Sequence, residues 1–244
     1  MKKVVAILPA RYQSSRFEGK PLADLHGKPM IWWVYNQVKK SKYINEIYVA
    51  TDDKRIEEEC LKYNLNCIMT SNKWQIMLER LWEVSESIES DYYVCIPGDE
   101  PLIEPKSIDK VIKKALDYPD FNVVNAKIKI KEPVDVLNWT TMKVVSNKSD
   151  QIIYASRAPI PFPKSTVDIT YYKHSGLYAL KKEALDFIKN TEKGSLEKIE
   201  DFDLLRFIEN FYQVMAVDLE SETVSVDTPK DLERVKLILE KSGK

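Results

Sequence analysis

The sequence predicts an α/β fold with a mostly parallel central sheet and an antiparallel extension, and three observations carry that expectation. Strand and helix signals alternate through the first half of the chain and again at its end, as βα crossovers require. An apolar run at the start, Val4 to Leu8, reads as a buried strand and empties into a loop that holds Arg11, Arg16 and Lys20. Between Val123 and Leu180 the alternation gives way to strand signals broken by turns, the mark of antiparallel pairing.

The elements follow in order. Val4 to Leu8 is the first strand. Pro29 starts a helix on which Met30, Trp33, Val34 and Val38 share a face. Ile47 to Ala50 is the second strand, with Thr51-Asp52-Asp53 just past its end. Arg55 to Tyr63 reads as a helix, Asn66 to Met69 as a short strand, and Trp74 to Ile88 as a helix with Leu78, Leu81 and Val84 on one side. Tyr92 to Ile96 is a strand that ends at Pro97-Gly98-Asp99, and Ile108 to Leu116 is helical. Val123 to Ile130, Thr141 to Ser146 and Gln151 to Tyr154 are expected as antiparallel strands, the last two joined by a turn at Asn147 to Asp150. Lys131-Glu132-Pro133 is a loop signal, and Ser175 to Leu180 is a strand. Leu196, Ile199, Phe202, Leu205 and Ile208 fall on one broad helical face. A strand from Gln213 to Val217, another near Val226 and a helix from Pro229 close the chain.

With 244 residues, no repeat and no Gly- or Ser-rich linker, residues 1–244 are expected as one domain, within which 123–180 supplies the antiparallel portion. Lys plus Arg number 37 and Asp plus Glu 38, a balance that argues against nucleic-acid or membrane binding through bulk charge. Cys60, Cys67 and Cys95 are odd in number and lack metal-ligand spacing, which favours a reducing compartment. Met1-Lys2-Lys3 and the following apolar run do not make a signal peptide, because Pro9 and Arg11 interrupt the run. No stretch is long enough to cross a bilayer, so a cytoplasmic location is expected.

Three cations at the end of an N-terminal strand suit a polyphosphate, since ligands of parallel sheets sit outside the strands' carboxyl ends. The loop is neither a Walker loop, because Gly19-Lys20 is followed by Pro21, nor a dinucleotide loop, because G-x-G-x-x-G is absent. Asp99 stands after a strand and a glycine, where a carboxylate would meet a divalent cation bridging to phosphate. Taken alone, Gly98-Asp99-Glu100-Pro101 reads rather as a solvated turn, and Asp227 before Thr228-Pro229-Lys230-Asp231 only as punctuation at a capped helix start.

The run Pro9-Ala10-Arg11-Tyr12-Gln13-Ser14-Ser15-Arg16-Phe17-Glu18-Gly19-Lys20-Pro21-Leu22, with Gly27-Lys28-Pro29-Met30-Ile31, resembles the opening of the sugar-acid cytidylyltransferases, and most of all the CMP-KDO synthetase (3-deoxy-manno-octulosonate cytidylyltransferase) family. The resemblance continues through Tyr48 to Asp53, Gly98 to Leu102, Tyr154 to Pro161, Lys173 to Tyr178 and Val226 to Leu232, in the family's order along nearly the whole chain. It implies a Rossmann-like nucleotidyltransferase fold and Mg²⁺-dependent coupling of CTP to a KDO-like sugar acid, releasing pyrophosphate. It implies Arg11, Lys20 and Asp99 as catalytic residues. Ala10, Arg11, Arg16, Lys20, Arg80 and Gly98 would contact the nucleotide, and Arg157, His174, Tyr178 and Asp203 the acceptor. Asp99 and Asp227 would hold the metal. Arginine suits an acceptor carboxylate because its planar fork makes paired hydrogen bonds. A homodimer is implied as well.

The chain departs from the family's pattern around this site. Ile76-Met77-Leu78 replaces a run of small hydroxyl residues before Glu79-Arg80, Pro97 replaces a glutamine, and Leu204 falls where a glutamine touches sugar hydroxyls. These changes suggest an altered acceptor or base preference; alternate packing around the same substrate is the other reading. A different acceptor, or a nucleotide-binding regulator without catalysis, are therefore the competing hypotheses.

Overall fold

A computed structural model describes residues 2–14, 16–165, 168–221 and 224–241; Ser15 of the first loop lies outside the described residues. In chain order the strands and helices begin with β1 (Val4–Ala10), β2 (Asp24–Leu25), β3 (Lys28–Pro29) and α1 (Met30–Val38). They continue with β4 (Glu46–Thr51), α2 (Lys54–Lys62), β5 (Cys67–Met69), α3 (Met77–Ser85), β6 (Tyr92–Cys95) and α4 (Pro105–Asp117). Then come β7 (Val123–Lys129), α5 (Pro133–Leu137), β8 (Lys143–Ser146), β9 (Ile152–Ser156) and β10 (Tyr172–Leu180). The last are α6 (Lys182–Asn190), α7 (Ser195–Glu200), α8 (Leu204–Glu209), β11 (Met215–Leu219) and α9 (Pro229–Lys241). The chain divides into two compact units, Met1–Asp109 with Thr223–Lys244, and Lys110–Glu222.

In the first unit β1 lies between β6 and β4, and β5 follows β4, all parallel. Val4 to Leu8 are at most 1% exposed, because helices on both faces of a parallel sheet leave no side of a central strand wet. The carboxyl ends of β1 and β6 thereby open on the same edge. Asp53 caps α2, its Oδ1 accepting from Arg55 N at 2.9 Å. The helix expected from Trp74 starts only at Met77. The Trp74 indole donates instead to Glu83, and Glu79 reaches back to the backbone N–H groups of Gln75 and Ile76. Among the described residues no strand forms near Val226, although its side chain is fully buried; it packs with Leu25, Met30, Leu232, Val235 and Leu239, and Trp33 packs against them. This cluster seats α9 on α1 and on the β2–β3 hairpin, which the sequence analysis did not anticipate.

In the second unit β7 pairs parallel with β11 and antiparallel with β10, while β8 pairs antiparallel with β10 and β9. Asn147 builds the expected turn, its Oδ1 accepting from Ser149 N and Gln151 N at 2.9 Å each. The single helical face expected over 196–208 is not formed. Asp201, in the left-handed region (φ 49°), separates α7 from α8, and Ile199 is 78% exposed. Polar pairing accounts for the fold-back. The buried Glu197 carboxylate makes a two-point pair with Arg206, both contacts at 2.6 Å, and Glu209 caps the start of α7 through Leu196 N at 2.9 Å and Ser195 Oγ at 3.0 Å. Both expected halves of the α/β description hold: a parallel sheet carries the N-terminal half, and antiparallel strands enter from Val123 onward.

Candidate active site

The first unit holds a cleft of about 460 Å³ at the carboxyl ends of β1 and β6. Its floor is made by close approach of two backbones: a Cβ on Gly98 would lie 2.9 Å from the Pro9 carbonyl oxygen, so only glycine lets the end of β6 lie against β1. The loop after β1 folds back through Gly19, whose φ of +67° favours glycine and whose N–H donates to Tyr12 O at 2.8 Å. The Arg55 guanidinium stacks on the Tyr12 ring with its carbon 3.2 Å from the centroid. The short turn that follows, Lys20–Leu22, points Lys20 into the cleft.

Lys20 is the hub. Its Nζ lies 2.6 Å from Asp99 Oδ2 and 3.4 Å from Asp227 Oδ1, and Arg16 Nη2 lies 3.0 Å from the same Asp227 oxygen. These carboxylates are 79 and 207 residues from Lys20 along the chain. Two further bonds hold them in register. Val226 N donates to Asp99 O at 2.9 Å, so the residue before Asp227 is tied to Asp99. Asp231 then accepts from Thr228 N and Thr228 Oγ1 at 2.8 Å each and from Asp227 N at 3.2 Å. Burial alone would push the Asp231 carboxyl up, but these donors hold it below its ordinary value. Arg11 donates to Gln75 O at 3.2 Å, which spans the cleft to the segment before α3. Arg80 lies beneath, 1% exposed, with its guanidinium bonded to Thr70 Oγ1 and to Asp52 at 2.9 Å.

The second unit gathers another set of residues. Arg157 Nε donates to Glu200 O at 2.8 Å, Nη1 to Trp139 O at 3.2 Å and Nη2 to Asp201 O at 3.3 Å. Glu200 also accepts from Arg157 N at 2.9 Å and from Ser156 Oγ at 2.5 Å. The His174 ring packs on Phe202 and Tyr178, with centroids 4.7 and 5.4 Å away, and burial pushes its pKa down to about 3. Asp203 follows Phe202; burial, with the Glu197 carboxylate nearby, pushes its pKa up to about 6. Arg157 and His174 thus meet one stretch, Glu200 to Asp203, and Tyr178 touches it only through the His174 ring.

The family model for cytidylyltransferases matches residues 5–223 of the chain. The chain belongs to the cytidylyltransferase family. It is 37% identical over 243 residues to the 3-deoxy-manno-octulosonate cytidylyltransferase of Syntrophus aciditrophicus (strain SB), covering 98% of both chains. With the 3-deoxy-manno-octulosonate cytidylyltransferase of Escherichia coli it shares 34% identity over 239 residues, covering 98% of this chain and 97% of that one. Among solved structures it superposes on CMP:2-keto-3-deoxy-manno-octonic acid synthetase complexed with CTP, with a TM-score of 0.94, 34% identity, and 98% and 99% of the two chains covered. It is therefore a CTP-dependent nucleotidyltransferase.

For this cytidylyltransferase, the residues expected at the nucleotide and metal converge: Ala10, Arg11, Arg16, Lys20, Arg80, Gly98, Asp99 and Asp227 all line the one cleft. The departures from the family pattern separate by position. Leu204 is fully buried in packing around α8, whereas Ile76, Met77 and Pro97 line the cleft wall. Sequence reasoning missed Asp52, Thr70 and Glu200, which orient the others, whereas Asp231 completes the cap expected at Thr228. Asp52 was visible only as a carboxylate just past the end of the second strand.

Proposed function

We propose that the chain catalyses transfer of the cytidylyl group from CTP to 3-deoxy-manno-octulosonate, giving the CMP-sugar and pyrophosphate. The observation that carries this reading is the convergence of Lys20, Arg16, Asp99 and Asp227 at the carboxyl end of a parallel sheet, in a chain whose relatives over full length bear that activity's name. Arg11, Arg16 and Lys20 hold the triphosphate. Arg157 orients the acceptor carboxylate: backbone carbonyls take three of its five N–H groups and fix the guanidinium, leaving it donors for a carboxylate. The acceptor's anomeric hydroxyl then attacks the α-phosphorus in line, and pyrophosphate departs. No protein nucleophile is needed.

Magnesium fits this donor set. Asp99 and Asp227 are hard oxygen donors that already gather a cation, the Lys20 ammonium, and they would hold the ion. Among the described residues no cluster of three or more His, Cys, Asp or Glu forms, so an all-protein cage is not the design. Bound there, the ion supplies neutralisation of phosphate charge and lowers the pKa of the attacking hydroxyl.

In this reading residues 1–244 are one nucleotidyltransferase domain in sequence terms, with 123–180 providing acceptor binding and the homodimer contact. The exposed apolar side chains Val134, Leu137, Trp139 and Phe162, each at least 70% accessible, support such a contact. No helix among the described residues is long and apolar enough to cross a membrane, and dependence on CTP supports a cytoplasmic site of action. The test is pyrophosphate release with Mg²⁺ and CTP, with and without the sugar acid. Release that requires 3-deoxy-manno-octulosonate supports the reading; CTP binding without release would send the search to other sugar acids, for which Ile76 and Met77 in the cleft wall are the specific reason.

A further inference from the structure

Asn125 is a fully buried amide in the middle of an otherwise apolar stretch of β7, Val123-Val124-Asn125-Ala126. It faces Tyr178 of β10, where the register between the two strands slips between His174 and Tyr178. A slip strands backbone carbonyls, and Asn125 Nδ2 donates to two of them, Ser175 O at 3.0 Å and Leu177 O at 3.2 Å. Those carbonyls only accept, so the amide's orientation is not free: turned over, it would set its own oxygen against two others. Oδ1 therefore faces His174 Nδ1, at 3.0 Å. An amide oxygen only accepts, so Nδ1 carries the hydrogen. Burial keeps the ring neutral near pH 7, which leaves Nε2 with its lone pair. Among the described residues none hydrogen-bonds Nε2, and Phe202, edge-on, and Tyr178, tilted, pack against the ring.

We propose that Asn125 is a positioning residue that locks His174 in the Nδ1–H tautomer, so that Nε2 is offered as a hydrogen-bond acceptor to a hydroxyl of the sugar-acid substrate. The substrate half of this statement rests on the proposed function; the tautomer half does not. The same amide closes the irregularity in β10 and sets the ring's donor and acceptor sense, so one buried side chain couples strand geometry to acceptor recognition.

The first test is the ¹⁵N spectrum of the histidine rings in the protein without substrate. The chain has two histidines, and His26→Gln assigns the other. At neutral pH, His174 is expected to show a protonated Nδ1 and an unprotonated Nε2; the opposite tautomer, or an imidazolium, overturns the proposal. Asn125→Ala is expected to mix the tautomers and to raise the acceptor's KM about tenfold, the cost of one lost hydrogen bond, with the KM for CTP unchanged. An unaltered spectrum and KM in that variant also overturn it. Asn125→Asp is no substitute, because its second oxygen would face the Ser175 and Leu177 carbonyls; if Asn125→Ala does not fold, the wild-type ring spectrum decides the matter, an Nε2–H ring refuting the lock. The ring spectrum is read without substrate, so failure to use 3-deoxy-manno-octulosonate would remove the proposed function and leave the tautomer result standing.

Discussion

Replacing Lys20 by Met tests the centre of the cleft with two readouts that must move together. The change removes an ammonium that is 15% exposed and sits 2.6 Å from Asp99 and 3.4 Å from Asp227. The shorter contact is a charge-assisted hydrogen bond of about 2 kcal/mol. The longer one adds little, because Asp227 is 36% exposed and water screens it. The loss also takes from Asp99 its cation at 2.6 Å and leaves Asp227 with Arg16 alone at 3.0 Å. For a chain of this length, a deficit of about 2 kcal/mol lowers Tm by about 4–8 °C when divalent ions are chelated. Added Mg²⁺ restores part of that loss in Lys20→Met by meeting the same carboxylates, and raises the wild-type Tm less. Catalysis falls by about 10²–10³-fold, the usual consequence of deleting one fixed group that faces developing phosphate charge. Lys20→Arg retains the charge and separates its loss from loss of the side chain's shape. Thermal unfolding with and without EDTA, beside pyrophosphate release, measures both effects. A Tm within 1 °C of wild type, together with a rate within about twofold, refutes the assignment of Lys20 as the bridging cation.

Asp99→Asn should reduce pyrophosphate release by at least about 10²-fold with a native circular dichroism spectrum and a loss of stability no greater than that of Lys20→Met; wild-type turnover would remove Asp99 from the proposed metal site. Arg206→Met should lower unfolding free energy by about 3–5 kcal/mol in urea, because Glu197 is left buried and uncompensated, and Glu197→Leu in the same chain should recover much of it. Asp203→Asn should gain stability over wild type as pH rises from about 4 to above 6. The folded-state pKa of Asp203 is raised, so below that window the acid is neutral in both states, and above it the native protein must bury a charge. His174 works in the opposite sense: its folded pKa is depressed, so its contribution is present above pH 6.5 and is lost as the unfolded state takes up protons at lower pH. A pH series of urea midpoints for wild type and Asp203→Asn reads the first directly, and a difference that stays flat from pH 4 to 7 would contradict it.

Much of the architecture is legible along the chain because it depends on local periodicity. The run Val4 to Leu8 is apolar at every position, and only a strand covered on both faces has use for that. Pro29 before Met30, Asp53 before α2 and Thr228-Pro229 before α9 mark helix starts by rules that act within one turn. The misreadings share a cause. Trp74 to Ile76 and Leu196 to Ile208 have helical spacing, yet side-chain bonds over longer separations, Trp74 to Glu83 and Arg206 to Glu197, redirect the backbone. Val226 is apolar and buried without being a strand, because a single bond to Asp99 and packing under α9 satisfy it.

The sequence by itself determined which chemistry the chain carries: three cations after β1, an aspartate after β6, a second aspartate before α9, and the spaced motifs that resemble one family from end to end. Those are matters of residue type and order along the chain, which can be read without coordinates. Only the tertiary structure decided that Lys20, Asp99 and Asp227 meet within hydrogen-bonding reach, that Leu204 serves packing while Ile76 and Met77 face the cleft, and that Asn125 sets the sense of His174. The physical reason is range. Helix and strand preferences act over a few residues, whereas a charge, a close backbone approach or a tautomer is set by neighbours that the chain supplies from far along its length.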